Sequence, residues 1–327
     1  MNLPPLDVVD ARVVYGPEPL PEWRGCCLSI GNFDGLHRGH RQLLEALQTM
    51  AKRRATQGVV VTFYPHPAEV LAGKQPQRLM SLSDRVQALL AGGADGVWVI
   101  PFTQEYAALS AASFISSILL ERLAVQGVVV GPDARFGAGR HGDGPMLAAA
   151  GCELGFEVVI VEPCVMDGIR VSSTEIRKLL QVGDVHQAHR MLGRNYRMKG
   201  KVVRGQQMGT RLGYPTANLS LGEDILVPAC GIYIVRVRIG DQPEARIPYG
   251  GVANVGTRPT LDDGALAVEA HLFGVDGPQY GKQVVFEFLQ RLREERKFGS
   301  IDVLKTAIAE DVRGAKEYFE SSDSVKG

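Results

Sequence analysis

The sequence predicts an α/β chain in two halves: a doubly wound parallel sheet, then a small antiparallel barrel or sandwich followed by a terminal helix. Three observations carry this. Short apolar runs alternate with helical segments up to about residue 184. After that, strands with period-two alternation take over, punctuated by Gly, Pro and Asp. A chain of 327 residues is long enough for about two domains.

In the first half the apolar runs fall at 26–30, 59–63, 97–100, 127–130 and 157–161 and read as buried strands. Helical patterns lie between them. In 41–53, Leu43, Leu44, Leu47, Met50 and Ala51 recur at helical spacing, and 83–91 and 110–123 read the same way. The stretch 185–192 reads as a linker helix, which divides the chain into domains at 1–184 and 185–327. Strands then follow at 196–203, 233–239, 246–255, 267–275 and 283–289, and an amphipathic helix at 301–319.

Composition excludes several function classes. There are 36 Lys and Arg against 36 Asp and Glu, so formal net charge is zero and there is no electrostatic case for nucleic acid or membrane partners. The longest apolar stretches, such as 127–130 and 158–161, are far too short to span a bilayer. Residues 1–10 carry prolines and acids but no basic region and no long apolar run, which argues against a signal peptide. The five cysteines, Cys26, Cys27, Cys152, Cys164 and Cys230, are odd in number and contain no Cys-x-x-Cys. A reducing cytoplasm fits that pattern better than a disulfide framework.

Chemistry concentrates first at Gly31-Asn32-Phe33-Asp34-Gly35-Leu36-His37-Arg38-Gly39-His40. This turn joins an apolar strand to an amphipathic helix, the place where helix N-termini present free N–H groups to phosphates. Gly31 and Gly35 allow a tight turn, and Gly39 lets backbone approach a ligand. His37 and His40 can donate hydrogen bonds to a phosphate from the first helical turn. By residue type alone the two histidines also read as solvated or as half of a zinc site.

Further clusters follow in order. Thr62-Phe63-Tyr64-Pro65-His66-Pro67 leaves the second strand in a loop stiffened by its prolines, where on sequence alone His66 reads more readily as a structural loop histidine than as a ligand. Gly131-Pro132-Asp133-Ala134-Arg135-Phe136-Gly137 leaves the fourth. Ser172-Ser173-Thr174-Glu175 precedes Ile176-Arg177 as a capping box, and such a helix start with Arg177 in its first turn is also an anion cradle. In the second half, glycines at 200, 205, 209 and 213 lie among Lys201, Arg204 and Arg211, a loop able to cover phosphates with backbone amides. Gly213-Tyr214-Pro215-Thr216-Ala217-Asn218 places two oxygen-bearing side chains on one side of what its Gly and Pro suggest is a fixed loop, as a magnesium site needs. Glu269 sits in the strand pattern Ala267-Val268-Glu269-Ala270-His271, where an exposed carboxylate is the plain reading.

Taken with Val255-Gly256-Thr257-Arg258-Pro259-Thr260, Glu269-Ala270-His271-Leu272 and 291–298, these motifs in this order resemble the bacterial bifunctional riboflavin kinase/FAD synthetase family over nearly the whole chain. The resemblance implies a nucleotidylyltransferase domain followed by a β-barrel kinase domain. It implies ATP-dependent phosphorylation of riboflavin to FMN, then adenylylation of FMN to FAD with release of pyrophosphate, with Mg²⁺ as cofactor and riboflavin, FMN and ATP as small-molecule partners, the oligomeric state being left open. It assigns Glu269 as the base that accepts the riboflavin hydroxyl proton, and His37 and His40 as donors to the ATP phosphates. Asn32, Gly39, Ser172, Ser173, Thr174, Arg177, Gly209 and Arg211 are implied around ATP phosphates, and Thr216 and Asn218 around the metal. Phe63, Pro65, His66, Asp133 and Arg293 are implied around the flavin. Ala134 stands where the family pattern has an aromatic residue.

Three other readings fit parts of the sequence. One half alone could be active, but Thr216, Asn218 and Glu269 are all present. An RNA- or flavin-binding module would call for a basic aromatic surface, against zero net charge and 7% aromatic residues. A class I aminoacyl-tRNA synthetase shares the histidine turn but calls for a Lys-rich second signature and a tRNA-binding domain, and neither is present.

Overall fold

Val59, Val60 and Val61 are all fully buried, Val59 and Val61 in one apolar cluster and Val60 in another. A strand is buried on both faces only when helices cover both sides of its sheet. The computed structural model describes residues 10–73, 76–205, 209, 213–221, 224–240, 247–257 and 266–324. It divides into two compact units, 1–173 and 174–327.

In the first unit, six strands among the described residues form one parallel sheet: β1 (Val13–Tyr15), β2 (Cys27–Ile30), β3 (Gly58–Tyr64), β4 (Gly96–Pro101), β5 (Gly127–Val130) and β6 (Glu157–Ile160). Their spatial order is β1-β4-β3-β2-β5-β6. From β2 the chain runs outward through β3 and β4, then crosses back to β5 on the other side of β2. The carboxyl end of β2 therefore lies at the topological switch point, where open α/β sheets bind ligands.

Helices α1 (Arg38–Arg53), α2 (Pro67–Ala72), α3 (Leu82–Ala91) and α4 (Gly144–Leu154) belong to this unit. Leu44, Leu47, Met50 and Ala51 of α1 bury against Cys27, Val60, Val97 and Val129, the face the helical spacing predicted. Helix α1 starts three residues earlier than the apolar pattern indicated, because His37 caps it. The expected helix over 110–123 is a short α-turn, Ala111–Ser113, running into a wider π-helical stretch, Phe114–Arg122. Strand β1, three residues long at the sheet edge, was too short to register as a pattern.

Helix α5 (Ser173–Gln181) spans the division between the units, and α6 (Val185–Leu192) follows, capped by Asp184, whose Oδ1 accepts from the Gln187 N–H at 2.9 Å. The second unit is a closed antiparallel barrel of β7 (Tyr196–Val203), β8 (Thr216–Leu221), β9 (Gly231–Ile239), β10 (Tyr249–Thr257), β11 (Leu266–Leu272) and β12 (Gln283–Arg293), in spatial order β7-β8-β11-β10-β9-β12. Closure removes the exposed edges that a sandwich would leave. Its buried residues include Tyr233, Val235, Ala253, Val268, Ala270, Phe286 and Phe288. The segment 216–218, expected as a fixed loop, is the start of β8, paired along its length by β11 and joined by β7 from Asn218 onward. Helix α7 (Ile301–Ser324) packs Ala315, Tyr318 and Phe319 over Ile234, Val252 and Leu289.

Candidate active sites

At the switch point of the first unit, the backbone is held in an uncommon conformation. Phe33 and Leu36 both have positive φ, 50° and 37°, and both are buried. Such values are costly for bulky residues and persist where surrounding structure over-determines them. Asp34, also buried, accepts the Leu79 N–H on both carboxylate oxygens, at 3.1 and 3.0 Å. Its carbonyl accepts from the Ser173 hydroxyl at 2.8 Å.

His37 caps α1: its Nδ1 accepts from the His40 N–H at 3.3 Å. The neutral ring then carries its proton on Nε2. The two imidazoles stack, with centroids 3.6 Å apart, and Phe33 packs against His40 at 5.2 Å. Gly39 is small for a local reason, since a side chain there would press on the His37 ring at 3.3 Å. Burial, then His37, then Arg85 hold the His40 pKa well below 6.5, so His40 is neutral at pH 7. Its Nδ1 is sealed from solvent and has no hydrogen-bond partner among the described residues.

The loop after β3 docks on the same turn. His66 caps α2, its Nδ1 accepting from the Ala68 N–H at 3.1 Å, while Nε2 lies 3.2 Å from the Asn32 amide. A neutral His66 that accepts at Nδ1 must donate at Nε2. The Asn32 amide is therefore turned so that its oxygen receives that proton, which also gives a partner to the Asn32 Oδ1 otherwise left unpaired. Phe63 packs on Phe102 and Tyr106 at 5.6 and 5.8 Å, and the Tyr64–Pro65 bond is cis.

One residue here escaped sequence reasoning. Arg85 is 7% exposed in the middle of α3 and donates to the carbonyls of Asn32 and Phe63 at 2.7 and 3.0 Å. Burial lowers its pKa to about 10, opposed by Asp34. The available signal was its place among Leu82, Val86 and Leu89, on the buried face of the helix.

Asp133 is exposed and ion-paired with Arg170, and Ala134 packs at the margin of the core. Ser172 and Ser173 end the first unit, and Thr174 and Arg177 open the second. Glu175 pairs with Lys178 at 3.1 Å.

In the second unit one row of residues crosses three strands. Asn218 on β8 stands opposite Glu269 on β11, and Glu269 stands opposite Asn254 on β10. Residues directly opposite share a face, so the carboxylate is flanked by two amides. Asn218 is buried, at 5% exposure. Two residues along, Thr216 stands opposite His271, whose Nδ1–H donates to the Pro215 carbonyl at 3.0 Å.

Two loop glycines close over these side chains. A Cβ at Gly205 would run into the Asn218 amide, and one at Gly209 would run into the Tyr214 carbonyl and the Thr216 side chain. Only glycine lets the main chain lie this close. Beside them is a cavity of about 370 Å³, bounded by Val202, Pro215, Thr216, Leu272, Pro278 and Tyr280. Arg204 stacks on Tyr280 at 5.5 Å. Arg211 lies outside the described residues. Arg293 at the end of β12 is bidentate on Asp311 of α7, at 2.9 and 2.7 Å, and stacks on Phe298 at 5.6 Å.

Comparison with known proteins matches each unit separately. The FAD synthetase family matches residues 20–175, and the riboflavin kinase family matches residues 192–319. A bifunctional riboflavin kinase/FMN adenylyltransferase of Escherichia coli strain K12 is 40% identical over 310 residues, covering 94% of this chain and 97% of that protein. A protein of the same description from Pseudomonas fluorescens is 40% identical over 297 residues, covering 90% of this chain and 94% of its own length. Among solved structures, a Streptococcus pneumoniae protein described as a macrolide-efflux protein superposes with a TM-score of 0.81 at 28% identity, over 92% of this chain and 99% of that one. Among the described residues here, no helix is long and apolar enough to cross a membrane. With both family matches in order and the relatives covered almost end to end, the chain belongs to the bifunctional riboflavin kinase/FMN adenylyltransferase family.

Proposed function

We propose that residues 185–327 phosphorylate riboflavin at its ribityl hydroxyl with ATP, and that residues 1–184 join the resulting FMN to the AMP part of a second ATP, releasing pyrophosphate. The observation that carries the reading is the placement of Glu269 opposite buried Asn218, under the Gly205 backbone. A carboxylate beside neutral oxygen donors and close main chain suits a phosphoryl transfer to a hydroxyl.

In the kinase step the ribityl hydroxyl oxygen bonds to the γ-phosphorus. Its proton passes to the Glu269 carboxylate, the bond from the γ-phosphorus to the β–γ bridging oxygen breaks, and ADP leaves. Thr216 and Asn218 offer the hard, neutral oxygens that Mg²⁺ accepts when phosphates supply the negative charge, so the donor set fits that ion. When bound, Mg²⁺ neutralises phosphate charge. Main chain at Gly205 and Gly209 closes the site beside them.

The adenylyl step needs no base, because the FMN phosphate is already ionised and attacks the α-phosphorus directly. The bond to the α–β bridging oxygen breaks, and pyrophosphate leaves with the charge. His37 and His40 donate hydrogen bonds to that charge as neutral rings, with Ser172, Ser173, Thr174 and Arg177 holding phosphate oxygens. Phe63, Pro65, His66 and Asp133 border the flavin in this unit, and Arg293 does so in the barrel. A reducing cytoplasm suits the free thiols at Cys26, Cys27, Cys152, Cys164 and Cys230.

The test is direct. Full-length protein with riboflavin, ATP and Mg²⁺ yields FMN and then FAD, resolved by chromatography. Riboflavin left unconverted would overturn the kinase assignment, and FMN that accumulates without FAD would overturn the adenylyltransferase assignment.

A further inference from the structure

We infer that Asn254 is the residue that holds riboflavin's ribityl hydroxyl against Glu269. The inference rests on the reading of the barrel as the kinase. Asn254 stands directly opposite Glu269 across β10 and β11, while Asn218 stands opposite Glu269 across β8 and β11. All three side chains project from one face. Glu269 therefore separates a phosphate side, with Thr216 and Asn218, from a second side whose polar group is Asn254. A phosphoryl transfer places nucleophile and leaving group on opposite sides of the transferred phosphorus, with the base at the nucleophile. The acceptor hydroxyl therefore belongs on the Asn254 side.

The chemistry of the amide agrees. Asn254 Oδ1 is sealed from solvent and has no hydrogen-bond partner among the described residues. A buried amide terminus left unpaired is costly and calls for a ligand group. If the amide is turned over, the unpaired atom is a donor instead. A hydroxyl both donates and accepts, so it satisfies either orientation, whereas a phosphate or carboxylate oxygen satisfies only one. Neutrality matters too. A cation in this place would hold the Glu269 proton affinity down and weaken the base, and a carboxylate would repel it. The row continues from Asn254 to buried Ile232, so its polar part ends where the hydroxyl chain would meet it.

The experiment uses the full chain with Asn254→Ala and Asn254→Ser. Binding is read by flavin fluorescence for riboflavin and for lumiflavin, which has the same ring system without the ribityl chain. Kinase kcat and the KM for riboflavin and ATP are measured alongside. Asn254→Ala weakens riboflavin binding by about 3- to 10-fold, the worth of one neutral hydrogen bond, and lowers kcat by about 10- to 100-fold through lost alignment. Lumiflavin affinity and the KM for ATP stay as they were, and Asn254→Ser recovers part of the loss. Equal weakening of riboflavin and lumiflavin would overturn the proposal, as would a raised KM for ATP with riboflavin affinity intact. If melting shows that Asn254→Ala fails to fold, the same comparison on Asn254→Ser decides. A normal turnover in Glu269→Gln would remove the base assignment alone, because the riboflavin-to-lumiflavin difference reads the hydroxyl contact without it.

Discussion

Arg85 donates to the main-chain carbonyl of Asn32 at 2.7 Å from a helix more than fifty residues downstream, and the same guanidinium reaches the Phe63 carbonyl at 3.0 Å. One buried cation thus ties the histidine turn after β2 to the proline loop after β3. Both carbonyls lie toward the carboxyl end of the sheet, and the Asn32 carbonyl also accepts from the Thr62 hydroxyl at 3.3 Å.

Arg85→Met is therefore expected to leave the Phe63 carbonyl without its Arg85 donor, at a cost of about 1–3 kcal/mol, and the Asn32 carbonyl with the Thr62 hydroxyl in place of two donors. FAD formation from supplied FMN should fall by about 10- to 100-fold through misplacement of the turn. Arg85→Lys should recover part of both losses, having the charge but not the fork. Chemical unfolding and FAD synthesis rates measure the two effects, and a silent Arg85→Met would show that the loops hold their places without it.

His40→Ala should lower FAD formation by about two orders of magnitude, as for other losses of a donor to developing charge. FMN formation from riboflavin should be nearly unchanged, since Glu269 and its neighbours belong to the other unit. Loss of FMN formation with FAD synthesis intact would reverse the assignment of activities to units.

His40 also predicts a pH dependence of stability. Its folded pKa lies well below 6.5, mainly through burial, so below pH 6.5 the unfolded chain binds a proton that the folded chain refuses. Stability is then full above that pH and falls as pH drops, at up to about 1.4 kcal/mol per unit. Melting temperature should decline between about pH 6.5 and pH 5 in the natural sequence and stay flatter in His40→Asn. Parallel curves for the two proteins would count against the burial of the imidazole.

Glu269→Gln keeps shape and removes basicity. Kinase turnover is expected to fall by about 10²- to 10⁴-fold, the range for loss of a general base. Riboflavin affinity should change little, because the proton moves only in the transition state. FAD synthesis from supplied FMN should persist. The informative quantity is kcat against riboflavin affinity, and near-normal kcat would leave Glu269 as an ordinary strand carboxylate.

Much of the architecture was legible from periodicity. Val59, Val60 and Val61 announced a strand buried on both faces, and Leu44, Leu47 and Met50 announced the helix that covers one of them. The antiparallel half showed itself in alternation such as Val268-Glu269-Ala270-His271-Leu272, where only the second and fourth members carry polar groups. Where local rules compete, the reading slipped. Gly213 and Pro215 suggested a fixed loop at 216–218, yet pairing with β11, joined by β7 from Asn218, makes it a strand. The apolar spacing of the first helix begins only at 41, yet a side-chain cap from His37 starts the helix at Arg38.

The sequence by itself determined the order of elements, the two halves and the residue types able to carry phosphate chemistry, because apolar spacing and turn residues act over a few positions. Only the tertiary structure decided which of those residues meet. Arg85 is one cation on an apolar helix face until burial aims it at Asn32 and Phe63, and Asn254 is one amide in a strand until register sets it beside Glu269. Register between distant strands is set by the burial of whole faces and by barrel closure, and no local stretch of chain encodes either.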